Sequence, residues 1–531
     1  MKKHICLILL LITSILAISQ SVNIEWQQCY GGTDADNGKS IKMLDNGHLI
    51  TLSSTQSNDI DVSFNHGDFD FWLFRTDELG NLLWEKSFGG SAEDIPVEVM
   101  LSPDGGFILF GETWSNDGDV SGNHGGADYW LLKTDSVGNI LWQRCLGSSM
   151  NNLPQDMDMD DEGNIYVMGL SLGVGGDVTS SNGGYDYWFT KISPDGLLIW
   201  DKNLGGSYSD NGLCITSTND GGIIVGGIIN DTDGDITCNQ EPWNKTAWVV
   251  KLDSMNNIEW QQCYGGTYTE SVVDIKSTND GGYILLGLTN SNDGDVTDLH
   301  GIPGTNDNFD IWVIKTDSIG NIEWQHCLGG THFDNAEFIE ITPQGNYLVG
   351  GSTNSHDGDV SGNHSLNNNF DNWLIKLDSD GVILWQRCFG SISSNKQRGI
   401  YVISEMEFII IGSPGSENNS GDVSCDLKGN IDVWMYKIID TTVGINELEL
   451  NNSEINIYPN PASKVLNIDF PNNYNIENTN IEIIDMNGKT ILKSKPLSIS
   501  TQLNIKKLNY GLYLVKIQKD NALITKRIII Q

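Results

Sequence analysis

From about residue 22 to residue 440, short apolar runs alternate with polar turns rich in Gly, Asp, Asn and Ser. No stretch keeps a helical period between caps. Residues 98–146 show one full unit. Glu98 to Leu101 reads as a strand, and Ser102-Pro103-Asp104-Gly105-Gly106 as a tight turn in which Gly supplies positive φ. Phe107 to Thr113 is a second strand, followed by a polar loop to Asp128. Tyr129 to Thr134 is a third strand, rich in aromatic and branched residues. The turn Asp135-Ser136-Val137-Gly138-Asn139 leads to a fourth strand, Ile140 to Leu146. The pattern predicts four antiparallel strands per unit.

The unit recurs. Trp stands at 26, 84, 142, 200, 260, 324 and 385 in the fourth strand, and at 72, 130, 188, 248, 312, 373 and 434 in the third. These two series use fourteen of the sixteen Trp, at spacings of 58 to 64 residues. An all-β, seven-bladed β-propeller is the fold that such a repeat predicts. Asp135-x-x-Gly138-x-x-x-Trp142 reads as packing: Trp fills the gap between twisted blades, and Gly lets the hairpin turn. The phase is informative too. The chain enters on a fourth-strand sequence, VNIEWQQCYGG, and the last repeat stops after its third strand, IDVWMYKIID. The N-terminal strand is therefore expected to complete the last blade and close the ring, which leaves no exposed edge.

Composition adds an address. The chain carries 70 Asp+Glu against 30 Lys+Arg, a net charge of −40. Residues 21–446 alone hold −44, whereas 447–531 are slightly basic. Nucleic acid is excluded as a partner, because phosphate binding needs clustered Lys and Arg. Residues 1–19 read as a signal peptide: Lys2 and Lys3, an apolar run from Ile5 to Ala17, then Ala17 and Ser19 before the cut. No other stretch has the ~18 continuous apolar residues of a membrane-spanning helix, so no transmembrane segment is expected in the mature chain. The repeats occupy 20–440, a linker 441–454, and short alternating strands, a small Ig-like β-sandwich, 455–531.

The last segment carries a set of motifs in fixed order. They are Tyr458-Pro459-Asn460-Pro461-Ala462, Leu466-Asn467-Ile468, Asp485-Met486-Asn487-Gly488-Lys489, Leu508 to Ile517 with Gly511 and Tyr513, and Lys526-Arg527-Ile528-Ile529-Ile530. This segment resembles the type A C-terminal sorting domain of the type IX (Por) secretion system of Bacteroidota. The resemblance implies a signal-peptide crossing of the inner membrane, then passage through the type IX machinery. It further implies a cargo released to the medium or fixed to the cell surface. The repeats are similar to those of large exported proteins that carry such tails.

Candidate chemistry lies in the loop between the second and third strands. It repeats as Asp117-Gly118-Asp119, Asp293-Gly294-Asp295 and Asp357-Gly358-Asp359, with the densest form at Asp231-Thr232-Asp233-Gly234-Asp235. Two readings stand: a Ca²⁺ loop offering several hard oxygens, or a polar turn whose carboxylates bond local N–H groups. These loops and the connections between repeats are expected on one face. The Asp two residues before six of the third-strand Trp is expected to make a structural bond. His66, His124, His300 and His364 read as turn or surface residues. Cys29, Cys145, Cys263, Cys327 and Cys388 share one position and read as small buried hydrophobes. An exported protein also permits a bridge within repeat four, among Cys214, Cys238 and Cys263. The leading expectation is a binding protein for an extracellular glycan or protein. The alternatives are a carbohydrate-active enzyme using a pair of channel carboxylates and a structural surface-layer component. Repeat four, with Cys238, Trp243 and Lys245 in an altered loop, departs most from the others.

Overall fold

The computed structural model describes residues 22–239, 245–365, 369–415 and 420–441. In the tail it describes 455–459, 462–471, 476, 479–485, 490–496, 498–506, 508, 511–519 and 522–530. The signal peptide expected at 1–19 and the linker beyond 441 lie outside the described residues, as does Trp243. The chain divides into two compact units, Met1–Asp440 and Thr441–Gln531. Every regular element among the described residues is a strand.

The first unit is a series of four-stranded antiparallel sheets of one design. Sheet 1 contains Asp36–Met43, Leu49–Thr55, Asp70–Thr76 and Leu82–Phe88, paired in that order. Sheets 2 to 6 repeat it, and their first strands are Asp94–Leu101, Asn152–Met159, Asn211–Ser217, Glu270–Ser277 and Asp334–Ile341. Sheet 7 joins Lys396–Val402, Glu407–Ser413 and Val433–Asp440 to Val22–Tyr30 from the start of the chain. In that pairing Val22 lies opposite Asp440 and Tyr30 opposite Val433.

The two Trp series do different work. The third-strand Trp are wholly buried, from Trp72 to Trp434. Each donates its indole N–H to the residue that follows the fourth-strand Trp: Glu85, Gln143, Asp201, Gln261, Gln325 and Gln386 at 2.7–3.3 Å. In sheet 7 the acceptor is Gln27 at 3.0 Å, supplied from the other end of the chain. A buried indole N–H needs such a partner, so the Trp-Gln dipeptide of one strand fixes its register on the next. The fourth-strand Trp pack against the following sheet. A Cβ on Gly196 would stand 2.9 Å from the Trp142 ring, which is why the turn there carries Gly. Apolar clusters fill the spaces between consecutive sheets. One of them joins Ile409, Ile411 and Met435 of sheet 7 to Ile41, Leu49 and Phe74 of sheet 1.

Cys29 corrects the sequence reading. It is not a free buried thiol but is bonded to Cys425, with Cα atoms 5.6 Å apart. The reason is positional. Cys238 and Cys425 share a loop position, and Cys263 and Cys29 share a fourth-strand position. Cys238–Cys263 forms within sheet 4, and Cys29 takes the place of Cys263 once its strand lies in sheet 7. Cys145, Cys214, Cys327 and Cys388 are free and buried.

In the tail, Asn456–Tyr458, Val465–Asp469 and Ser500–Asn504 form one sheet. Thr490–Ser494, Thr479–Asp485, Gly511–Lys519 and Ala522–Ile530 form the other. Leu466, Ile468 and Leu503 of the first share a core with Ile481, Ile483, Val515 and Ile517 of the second.

The Cys29–Cys425 bond spans 396 residues. Replacing both cysteines by Ser is expected to lower unfolding stability by about 2–4 kcal/mol, read as an earlier denaturant midpoint. An unchanged midpoint would show that the strand pairing alone holds the N-terminus.

Candidate functional site

The acidic loops lie against the connections that lead into each sheet. Asp117 accepts the Ser91 N–H at 2.7 Å, Asp293 that of Thr267 at 2.7 Å, and Asp357 that of Thr331 at 2.8 Å. Asp119, Asp295 and Asp359 accept the N–H of Gly89, Gly265 and Gly329 at 3.1–3.4 Å. The densest loop spends its three carboxylates on one connection: Asp231 on Tyr208 N, Asp233 on Ser207 N and Oγ, and Asp235 on Gly205 N. No three His, Cys, Asp or Glu side chains converge into a metal-binding group among the described residues.

The loop histidines link one sheet to the next. His66 donates its backbone N–H to Asp70 and sets Nδ1 2.7 Å from the same oxygen. Its Nε2 faces Asp119 of sheet 2 at 3.5 Å. His124 stands in the same way between Asp128 and Asp177, His300 between Asp310 and Asp359, and His364 between Asp371 and Asp422. Asn182 takes the position between Asp186 and Asp235, and Lys428 that between Asp432 and Asp61 of sheet 1. The Asp before six of the third-strand Trp thus makes the structural bond that its regularity suggested; Thr246 stands there in sheet 4. Bonding to Asp310 raises the pKa of His300, and bonding to Asp371 raises that of His364.

A second buried carboxylate stands at the entry to several inner strands. Asp94 accepts Gly90 N at 2.7 Å and Ser115 Oγ at 2.9 Å; Asp334 accepts Gly330 N and Ser355 Oγ at 2.8 and 2.9 Å. Burial is the main force that lifts Asp36, Asp94 and Asp210 to about 6 and Asp334 to about 7. Asp310 faces Asp334 and adds to the rise. Two sheets carry a neutral amide at this place, Asn152 and Asn395, both fully buried.

The least repetitive place in the unit is a cavity of about 490 Å³ lined by the first strands of all the sheets. Each of these strands carries a β-bulge at its fourth position, counted from the entry residue. The pairing register skips Lys39, Val97, Gln155, Leu213, Val273, Glu337 and Arg398. All seven line the cavity. A bulge re-aims a side chain out of the ladder, so the fold presents one variable residue per sheet at a common level. Beside this tier lie ion pairs. Lys42 meets Glu98 at 3.0 Å, Lys276 meets Asp274 at 3.2 Å and Glu340 at 3.5 Å, and Arg398 meets Glu337 at 2.9 Å. Asp156 accepts Ile215 N at 2.7 Å. Burial, then the charges of Glu98 and Asp274, push its pKa well up. The sequence points first to the repeated acidic loops and not to this tier. Its signal is an inner-strand position where the repeats hold Lys, Val, Gln, Leu, Val, Glu and Arg in turn, one of several variable positions in that strand.

In the tail, the Tyr458 hydroxyl donates to Asp469 at 2.7 Å, Tyr513 is in the core, and Lys526 Nζ donates to Ile455 O at 2.8 Å. Gly511 opens a strand, and the Arg527 backbone pairs with Leu514. Asn460, Pro461 and Gly488 lie outside the described residues.

A run of four-stranded sheets of propeller type followed by a two-sheet tail defines an exported repeat protein. Residues 456–531 are a secretion system C-terminal sorting domain, the tail of type IX cargo, and it directs the chain to the cell surface or the medium. Colossin-A of Dictyostelium discoideum is 23% identical over 332 residues, 58% of this chain but 3% of that protein. A protein of unknown function from Dyadobacter fermentans is 11% identical, with a TM-score of 0.38 over 79% of this chain and 99% of that one. PorZ of Porphyromonas gingivalis, a surface component of the type IX secretion system, is also 11% identical. Its TM-score is 0.21 over 93% of this chain and 81% of that one.

Two outcomes are expected. The raised Asp and His values mean that the folded chain holds protons that the unfolded chain releases. This stability is complete below about pH 4 for the carboxyls and about 6.5 for the histidines. It is lost as pH rises through 6–7 for the carboxyls and through the raised folded values for the histidines. The melting midpoint should fall from pH 5 to pH 8, and Asp334→Asn should flatten that fall without unfolding the chain. A midpoint that climbs with pH contradicts this. Removal of 456–531 should abolish surface delivery, read by protease accessibility of whole cells; delivery of the truncated chain would disprove the role of the tail.

Proposed function

We propose that this chain is an exported binding protein whose first unit is a closed seven-bladed β-propeller. In this reading the N-terminal strand completes the last blade, the tail is an Ig-like sandwich, and residues 1–19 are removed on export. The ligand, an extracellular glycan or protein, binds in the cavity ringed by the bulge residues. One observation carries the reading. The junctions between sheets repeat the same bonds, while the seven bulge positions around one cavity do not repeat. Repetition suits scaffold, and variation at one level of a concave site suits recognition. A volume of about 490 Å³ falls within the range of small-ligand sites.

A carbohydrate-active enzyme is the second reading. Asp156 favours it, as a carboxyl whose pKa is raised by burial and by the neighbouring carboxylates Glu98 and Asp274.

The test uses the full chain against glycan and peptide panels, scoring saturable binding and product release. Val273→Trp fills the cavity at a bulge position without touching its ion pairs. It should weaken binding at least about tenfold with an unchanged melting midpoint. Turnover would favour the enzyme. Binding indifferent to Val273→Trp would place the site elsewhere and sink this reading.

A further inference from the structure

The cavity gathers a large share of the unit's cations, among a larger number of carboxylates. Residues 21–446 carry 18 Lys and Arg against 62 Asp and Glu, yet four of those cations, Lys39, Lys42, Lys276 and Arg398, line this one cavity. Three of the four are paired: Lys42 with Glu98, Lys276 with Asp274 and Glu340, and Arg398 with Glu337. Lys39 has no ion pair or hydrogen bond among the described residues. Glu112, the carboxylate that lines the cavity nearby, is engaged by the Trp114 indole at 2.5 Å. Burial, and then Arg398, bring the Lys39 ammonium down to about 8 against the opposing pull of the Glu337 and Glu112 carboxylates. An ammonium so placed gains most from an incoming anion, because a charge-assisted bond in a partly dry site is stronger than one in water.

The rest of the bulge tier is polar at Gln155 and at Glu337, which Arg398 holds, and aliphatic elsewhere. Lys39 and Arg398 come from the first strands of sheets 1 and 7, which are neighbours. Gly399 keeps the two strands close, since a Cβ there would stand 3.0 Å from the Lys39 carbonyl. Val97, Leu213 and Val273 supply an aliphatic wall from sheets 2, 4 and 5, and none of the seven bulge residues is aromatic. A cationic side and an aliphatic side at one level fit a ligand with an anionic end and a saturated apolar body.

We propose that the bulge tier binds an aliphatic carboxylate, with its anionic end on the Lys39 ammonium beside Arg398 and its body against Val97, Leu213 and Val273. The proposal rests on the reading that this cavity is the ligand site. Two sources share the chemistry: a fatty acid, and a peptide C-terminus ending in aliphatic residues.

Calorimetry on the full chain separates them, using hexanoate and N-acetyl-Leu-Leu as probes and their amides as neutral counterparts. At least one acid should bind saturably and at least about tenfold tighter than its amide. Lys39→Met should remove that preference with an unchanged melting midpoint, and Lys39→Arg should restore it. Binding of hexanoate alone assigns the fatty acid, and binding of the dipeptide alone assigns the peptide terminus. Equal binding of acid and amide, or acid binding indifferent to Lys39→Met, overturns the proposal. If neither acid binds while panel ligands still respond to Val273→Trp, the carboxylate assignment falls and the cavity reading stands. If panel binding ignores Val273→Trp, both fall.

Discussion

A twisted four-stranded sheet of mostly apolar residues cannot bury both faces by itself, and the first unit is organised around that constraint. Each sheet covers its faces with its neighbours, so the junction between sheets decides the architecture. The core of each junction is apolar. Apolar packing is non-directional, however, and would tolerate sliding. The polar network at the sheet ends removes that freedom. A buried Asp takes the backbone and side chain of a loop residue, and that residue reaches the acidic loop of the next sheet. These bonds are directional and tie each sheet to the next, and breaking one in a buried place costs more than a typical bond contributes.

The same network uses part of the acidity. Carboxylates of the acidic loops accept backbone amides of the connections. Several others are buried with raised pKa values, about 7 for Asp334, and an Asn replaces them in two sheets. The net charge therefore overstates how much free negative charge the unit displays. It also hides the cations, which gather where the first strands meet around the cavity. Regular junctions let one position per sheet vary without disturbing the fold. The bulge residues are outside the pairing ladder, so their identity is not constrained by cross-strand neighbours.

Much of this could be read from residues alone. The Trp series give the repeat and its phase, and the Trp-Gln dipeptides give the register between third and fourth strands. The Asp before six of the third-strand Trp points to a structural role. The disulfide was half visible. Cys238 and Cys425 share one position and Cys263 and Cys29 another, but pairing Cys29 with Cys425 requires placing two chain ends in one sheet. The histidines were read as surface residues because their second carboxylate comes from the next repeat, about 50 residues away.

By itself the sequence determined the all-β repeat, the strand order within a unit and the export tail. These depend on local periodicity and on motifs contiguous in the chain. The tertiary structure decided the partner of Cys29, the bridging of sheets by His66 and its equivalents, and the cavity with Lys39 unpaired on its wall. A bulge exists only as a mismatch between two paired strands, and a common level exists only when seven strands converge. Neither quantity is a property of any single segment, so the chain shows only a variable position and the fold alone places its seven copies around one cavity.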